Sequence, residues 1–139
     1  MRSFSDDVPL DLVKKTIWLR IAQIMINDLY KKGDFKVPIH LAMGHETIAI
    51  AVDRAMQKQD SLFVTHKNAH YNLARQGTIR EEIDEYYLRV EGLAKGRLGS
   101  MNLKNPKNGI VYASSILGND IPVACGYSLG NKAKADNAI

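Results

Sequence analysis

The chain has 139 residues, 45% of them apolar and 24% charged, which is the size and composition of one globular domain and excludes a disordered chain. Its formal net charge of +4 comes from 19 basic and 15 acidic residues that are interspersed, so the surface suits a small anionic ligand better than a nucleic-acid backbone. Cys125 is the single cysteine, which excludes an internal disulfide and a cysteine-rich zinc site.

The segment Met1 to Asp7 is polar and lacks the apolar centre of a secretion signal. No stretch approaches the roughly 20 apolar residues of a membrane helix. The expectation is a cytoplasmic protein with neither a membrane nor nucleic acid among its partners.

Asp6 and Asp7 ahead of Pro9 open a first helix, because proline fits the first turn. Leu10, Val13, Ile17, Ile21 and Ile24 recur at spacings of three and four, a helical stripe that ends at Lys31, Lys32 and the C-cap Gly33. Trp18, Met25 and Leu29 widen the apolar face, so this helix is expected to pack between two neighbours, within the domain or across a subunit contact. After turns at Gly33-Asp34 and Pro38, residues His45 to Lys58 read as a second helix with Ile48, Val52, Ala55 and Met56 inward. Ser61 to Thr65 reads as a buried strand and Ala69 to Arg75 as a short helix. Thr78 and Glu81 fit a capping box for the next helix, with Ile83, Tyr86, Tyr87 and Val90 toward the core.

From Gly92 the texture changes. Seven of the ten glycines lie between Gly92 and Gly130, and Asn105-Pro106 and Asn108-Gly109 add turn signals. This predicts a loop system wrapped closely around a ligand or another backbone. Pro122 then opens a helix of small residues, Ala124, Gly126 and Gly130 among them.

All four histidines, His40, His45, His66 and His70, fall in one window. His66 and His70 would share a helix face and hold a metal, but the window lacks the glutamate of a zinc-protease helix. The plainer alternative is a set of hydrogen-bonded histidines at helix ends. Lys67 stands at a strand-to-helix junction, where backbone N–H groups and a positive dipole end suit a phosphate. Gly92, Gly96 and Gly99 lead into Ser100, and Ser114-Ser115-Ile116-Leu117-Gly118 follows. Such small residues admit backbone amides to a ligand.

Four of these segments together resemble a known family. His40-Leu41-Ala42-Met43-Gly44-His45-Glu46 resembles the His-Leu-x-x-Gly-Gln-Glu signature of alpha subunits of thiamine-diphosphate-dependent 2-oxoacid dehydrogenases. Thr65-His66-Lys67 is similar to the family's Thr/Ser-x-Tyr/His-Arg element. Gly96-Arg97-Leu98-Gly99-Ser100-Met101-Asn102 is similar to Gly-Arg-Gly-Gly-Ser-Met-His, and Ile116-Leu117-Gly118-Asn119-Asp120-Ile121-Pro122 to Ile-Val-Gly-x-Gln-x-Pro. Order and spacing agree from about His40 to Lys134.

The resemblance implies an α/β thiamine-diphosphate-binding fold, a parallel sheet flanked by helices, of which residues 1–139 form an incomplete domain. Its parts would be the first helix (1–36), a helix-strand-helix region (37–91), and cofactor loops with a small-residue helix (92–139). It implies His66 and Lys67 at the cofactor's diphosphate, the backbone at Ser115 and Leu117 at its aminopyrimidine ring, and His40 and His70 as catalytic groups at the site's mouth. It implies Mg²⁺ as well, with its Gly-Asp-Gly and asparagine ligands beyond Ile139 and no metal ligand among these residues. A beta subunit would supply the glutamate that activates the cofactor, and a second alpha subunit would complete a heterotetramer acting on a 2-oxo acid. These residues alone are expected to be inactive. Lys67 in place of arginine, Asn102 in place of histidine and Ser115 in place of glycine point to a divergent substrate. Two alternatives remain: a non-catalytic relative that binds a subunit, and a histidine metalloprotein.

Overall fold

The computed structural model describes residues 8–133. Helix α1 spans Leu10–Lys31, α2 Glu46–Ala55, α3 Ala69–Gln76, α4 Arg80–Tyr86 and α5 Asp120–Ala133, with strands β1 Leu62–Thr65 and β2 Ile110–Ser114. No helix among the described residues is long and apolar enough to cross a membrane. The architecture is mixed α/β. β1 and β2 pair in parallel, Thr65 opposite Ser114, with a register irregularity between Leu62 and Phe63. The connection between them carries α3, α4 and the glycine-rich loops, the long crossover that parallel strands require.

The core joins Leu19, Ala22 and Ile26 of α1 to Ala49 and Ile50 of α2, Leu73 and Ala74 of α3, and Tyr86 of α4. Phe35 closes it by edge-on contacts with Tyr86 and Tyr87, at 5.4 and 5.1 Å between ring centres. Three polar ties fix the helices. The Lys15 ammonium meets the Asp53 carboxylate at 2.5 Å, and Arg75 Nη1 meets its other oxygen at 3.2 Å. Arg75 Nε also donates to the carbonyl of Asn108, anchoring the turn before β2.

Several expectations are met, including α3 and α1 with its left-handed Gly33 (φ 79°); the strand expected over Ser61 to Thr65 forms as β1, but within it only Val64 is buried. Others are corrected. The stripe Leu10, Val13, Ile17, Ile21 and Ile24 is 39–66% exposed, and the buried face of α1 is instead Leu19, Ala22, Gln23 and Ile26. In α2, which is shorter than expected, Ile48 and Ala55 face out, Val52 and Met56 are only partly covered, and Glu46, Ala49 and Ile50 are buried. Both helices carry apolar residues on more than one face, so periodicity alone does not choose the buried one. Val90 lies beyond α4 and is exposed. Thr78 Oγ1 accepts from the Arg80 N–H rather than from Glu81, so the predicted capping box is a tighter turn. Within the predicted loop system, Ile110–Ser114 forms β2.

Candidate functional site

The parallel register sets the site. With Thr65 opposite Ser114, the next residues, His66-Lys67 and Ser115, leave the sheet together at its carboxyl end. That end is where open parallel sheets place their ligands.

The glycine-rich loop is fastened there by side chains to which sequence reasoning had given no tethering role. Asn68 is buried, and its Nδ2 donates to the carbonyls of Thr65 at 3.2 Å and Ser100 at 3.0 Å. Asn72 Nδ2 in turn donates to Asn68 Oδ1 at 3.2 Å and holds its orientation. Ser100 Oγ donates to the carbonyl of Pro38, just before His40. Asn102 Oδ1 accepts from the Ser115 N–H at 3.2 Å. Two motif segments and the residues just before the other two are thereby tied together.

Beneath the loop, the carboxylate of Glu85 at the end of α4 is buried and accepts four backbone N–H groups. These are Ala94 and Gly96 at 2.8 Å on one oxygen, and Leu98 at 2.8 Å and Gly99 at 3.1 Å on the other. Gly92 and Gly96 allow that approach. A Cβ at Gly92 would stand 2.5 Å from Glu85 Cα, and one at Gly96, where φ is +70°, would stand 2.4 Å from the carbonyl carbon of Leu88. A signal was available: glycines at spacings of four and three directly after an acidic helix end describe a loop turned onto a carboxylate.

The His40–His45 segment is fixed from the other side. Glu46 accepts from Arg20 Nε at 2.7 Å, Arg20 Nη2 at 2.9 Å, Gln23 Nε2 at 2.9 Å and the Gly44 N–H at 3.0 Å. Gln23 Oε1 accepts from the Ala42 N–H at 3.0 Å. The Arg20 guanidinium, outweighing the cost of burial, lowers the Glu46 carboxyl to about 2.

The structure brings the histidines together in two pairs. His40 and His66 meet edge-on at 5.1 Å between ring centres, and His45 and His70 at 6.0 Å. Each pair bridges the same two segments, one before α2 and one at the start of α3. His70 is 2% exposed, and burial, aided by the neighbouring His45, lowers its imidazole to about 4, so it is neutral at pH 7. The Nδ1 atoms of His40, His66 and His70 are buried and unpartnered among the described residues. Lys67 and Ser115 are exposed, and Leu117 is 75% exposed. The Ser115 N–H is already engaged by Asn102, which leaves its carbonyl for a ligand. Among the described residues no three His, Cys, Asp or Glu side chains are grouped to hold a metal ion, so the metalloprotein alternative has no donor set there.

This arrangement sets the exposed Lys67 and the first turn of α3 at the carboxyl end of the sheet, next to buried imidazoles with unpartnered nitrogens, a combination suited to an anionic ligand. Residues 14–139 match the family described as dehydrogenase E1 component. The chain is 27% identical over 130 residues to pyruvate dehydrogenase E1 component subunit alpha-1, mitochondrial, of Arabidopsis thaliana, covering 94% of this chain and 33% of that protein. It is 30% identical over 114 residues to the corresponding alpha subunit of Chaetomium thermophilum, covering 82% and 27%. It is 26% identical over 132 residues to the alpha subunit of acetoin:2,6-dichlorophenolindophenol oxidoreductase of Bacillus subtilis, covering 95% and 40%. The chain thus spans about a third of the length of these relatives. Through a match that covers most of its length, the chain belongs to the dehydrogenase E1 component family.

Proposed function

We propose that this chain is the cofactor-facing part of an alpha subunit of a thiamine-diphosphate-dependent 2-oxoacid dehydrogenase. The observation that carries the reading is the tying of Thr65 to Asn68 and Ser100 to Asn102 to each other and to the residues just before the other two motifs, Pro38 and Ser115, at one end of a parallel sheet. The fit to the cofactor rests on the unpartnered buried Nδ1 atoms of His40, His66 and His70 beside the exposed Lys67.

Lys67 supplies a point charge to the diphosphate, and His66 a donor. The backbone at Ser115 and Leu117 faces the aminopyrimidine ring. His40 and the buried, neutral His70 are the catalytic groups of this reading, each holding a proton at a ring nitrogen. When bound, thiamine diphosphate supplies the nucleophilic carbon and electron sink for decarboxylating a 2-oxo acid. Mg²⁺ ligands, a beta subunit and a second alpha subunit complete the assembly, a heterotetramer, and this chain alone does not turn over substrate.

Calorimetry with thiamine diphosphate and Mg²⁺ tests this on a chimera that continues the chain with the remainder of the Bacillus subtilis relative, mixed with that relative's beta subunit. The chimera is expected to bind, and Lys67→Ala to weaken binding at least tenfold, about 1.4 kcal/mol. No binding by the folded chimera, or equal binding by the variant, refutes the reading and favours a subunit-binding module.

A further inference from the structure

Helix α4 buries two acids on one side. Glu82 and Glu85 are three residues apart, so they are neighbours on the helix, and both are 0% exposed. Tyr86, equally buried, donates its hydroxyl to Glu82 Oε1 at 2.5 Å. Neither acid has an ion-pair partner among the described residues. The cations of α4 and of the elements around it are engaged or exposed. Arg80 and Arg89 meet Asp84, Arg75 of α3 meets Asp53, and Lys36, Lys95 and Arg97 of the flanking loops are exposed. Of the remaining titratable groups there, Asp34 and Glu81 are exposed, and α3 brings Tyr71 and the neutral His70.

Two buried carboxyl groups this close do not both ionise without a cation. The hydrogen bonds decide which keeps a proton. Glu85 accepts two N–H groups on each oxygen, which leaves no place for one. Glu82 accepts the Tyr86 hydroxyl on one oxygen, and its Oε2 is buried with no partner among the described residues. Burial raises Glu82 to about 8, with the Tyr86 bond opposing and Glu85 adding to the rise.

We propose that this pair is a proton-controlled latch on the glycine-rich loop. Glu85 is the anion that grips Ala94 to Gly99, and Glu82 is the neutral acid that lets that anion stay buried. When Glu82 gives its proton to solvent hydroxide, a second charge stands beside Glu85. Opening the loop, which packs on Glu85 at Gly92, then admits water and relieves the repulsion. The loop leads into Ser100 and Asn102, so its opening undoes their bonds to Pro38, Asn68 and Ser115. The consequence for a cofactor rests on the proposed function; the latch itself does not.

Amide hydrogen exchange on the full chain, corrected for intrinsic rates, tests it without thiamine diphosphate, so its outcome is independent of the calorimetry. Ala94, Gly96, Leu98 and Gly99 are expected to exchange faster than Leu19 and Ile26 of α1, through an opening of the loop alone. Between pH 6 and pH 8 their protection is expected to fall at least tenfold, because the closed loop keeps a proton that the open loop releases. Glu82→Gln, which mimics the neutral acid, is expected to hold the protection at its pH 6 level. The infrared band of a protonated carboxyl is expected at pH 6 and lost by pH 10. Loop protection that is flat from pH 6 to pH 8 overturns the proposal. So does a pH response that survives in Glu82→Gln, exchange of the loop only together with α1, or the absence of that band at pH 6.

Discussion

Replacing Glu85 by glutamine tests whether the glycine-rich loop is held by a carboxylate. The side chain keeps its shape, but only one end of it still accepts. Glu85 receives two N–H groups on each oxygen. In Glu85→Gln the amide oxygen keeps two of them, while the amide nitrogen points its own hydrogens at the other two. Two charge-assisted bonds are lost, at about 1.5–3 kcal/mol each. Water reaching the partly exposed loop offsets part of this, leaving a net loss of about 3 kcal/mol. For a chain of this size that lowers Tm by about 10 °C. Thermal denaturation reads the stability. Hydrogen exchange at Ala94, Gly96, Leu98 and Gly99 reads the place, and these amides are expected to lose protection first. A Tm within about 2 °C of wild type, or unchanged exchange at these amides, refutes the reasoning.

Gly96→Ala is expected to cost about 2–4 kcal/mol in urea denaturation, because the new methyl meets the Leu88 backbone in a left-handed conformation; Gly44→Ala, at φ +99° with open space around it, is expected to cost about 1 kcal/mol. Two buried groups give opposite pH trends in Tm. His70 is lowered to about 4, so the unfolded chain binds the extra proton and stability falls as pH drops from 6.5 to 4. Burial raises Glu82 to about 8, so the folded chain holds the extra proton and stability falls as pH rises from 4.5 to 8. Glu82→Gln is expected to flatten the alkaline limb, with a relative gain of order 2 kcal/mol at pH 9, measured by denaturation across pH. An unchanged limb would show that Glu82 is ionised in the fold.

Local readings succeeded where a short run of residues contains its own cause. Leu62 to Thr65 is apolar and β-branched, and the short helix Ala69–Gln76 follows directly and closes on a left-handed Gly77. The Lys67 junction was legible for the same reason. Asn68, Ser100, Asn102 and Glu85 were not, because each acts on backbone 13 to 62 residues away or on a loop whose course depends on two glycines. The histidine window was legible as a cluster, but its division into pairs, His40 with His66 and His45 with His70, was not.

By itself the sequence determined the order of helices, the site of β1 and the four motif segments, because periodicity, capping and turn chemistry act over a few residues. Only the tertiary structure decided which side of α1 and α2 is buried. Hydrophobic attraction has no direction, and where a helix is apolar on both sides the choice falls to its neighbours. It also decided that Ile110–Ser114 becomes a strand, since a parallel strand exists only beside a partner more than 40 residues away in the chain. The meeting of His66-Lys67 and Ser115 follows from that pairing, which brings them out of the sheet at the same end.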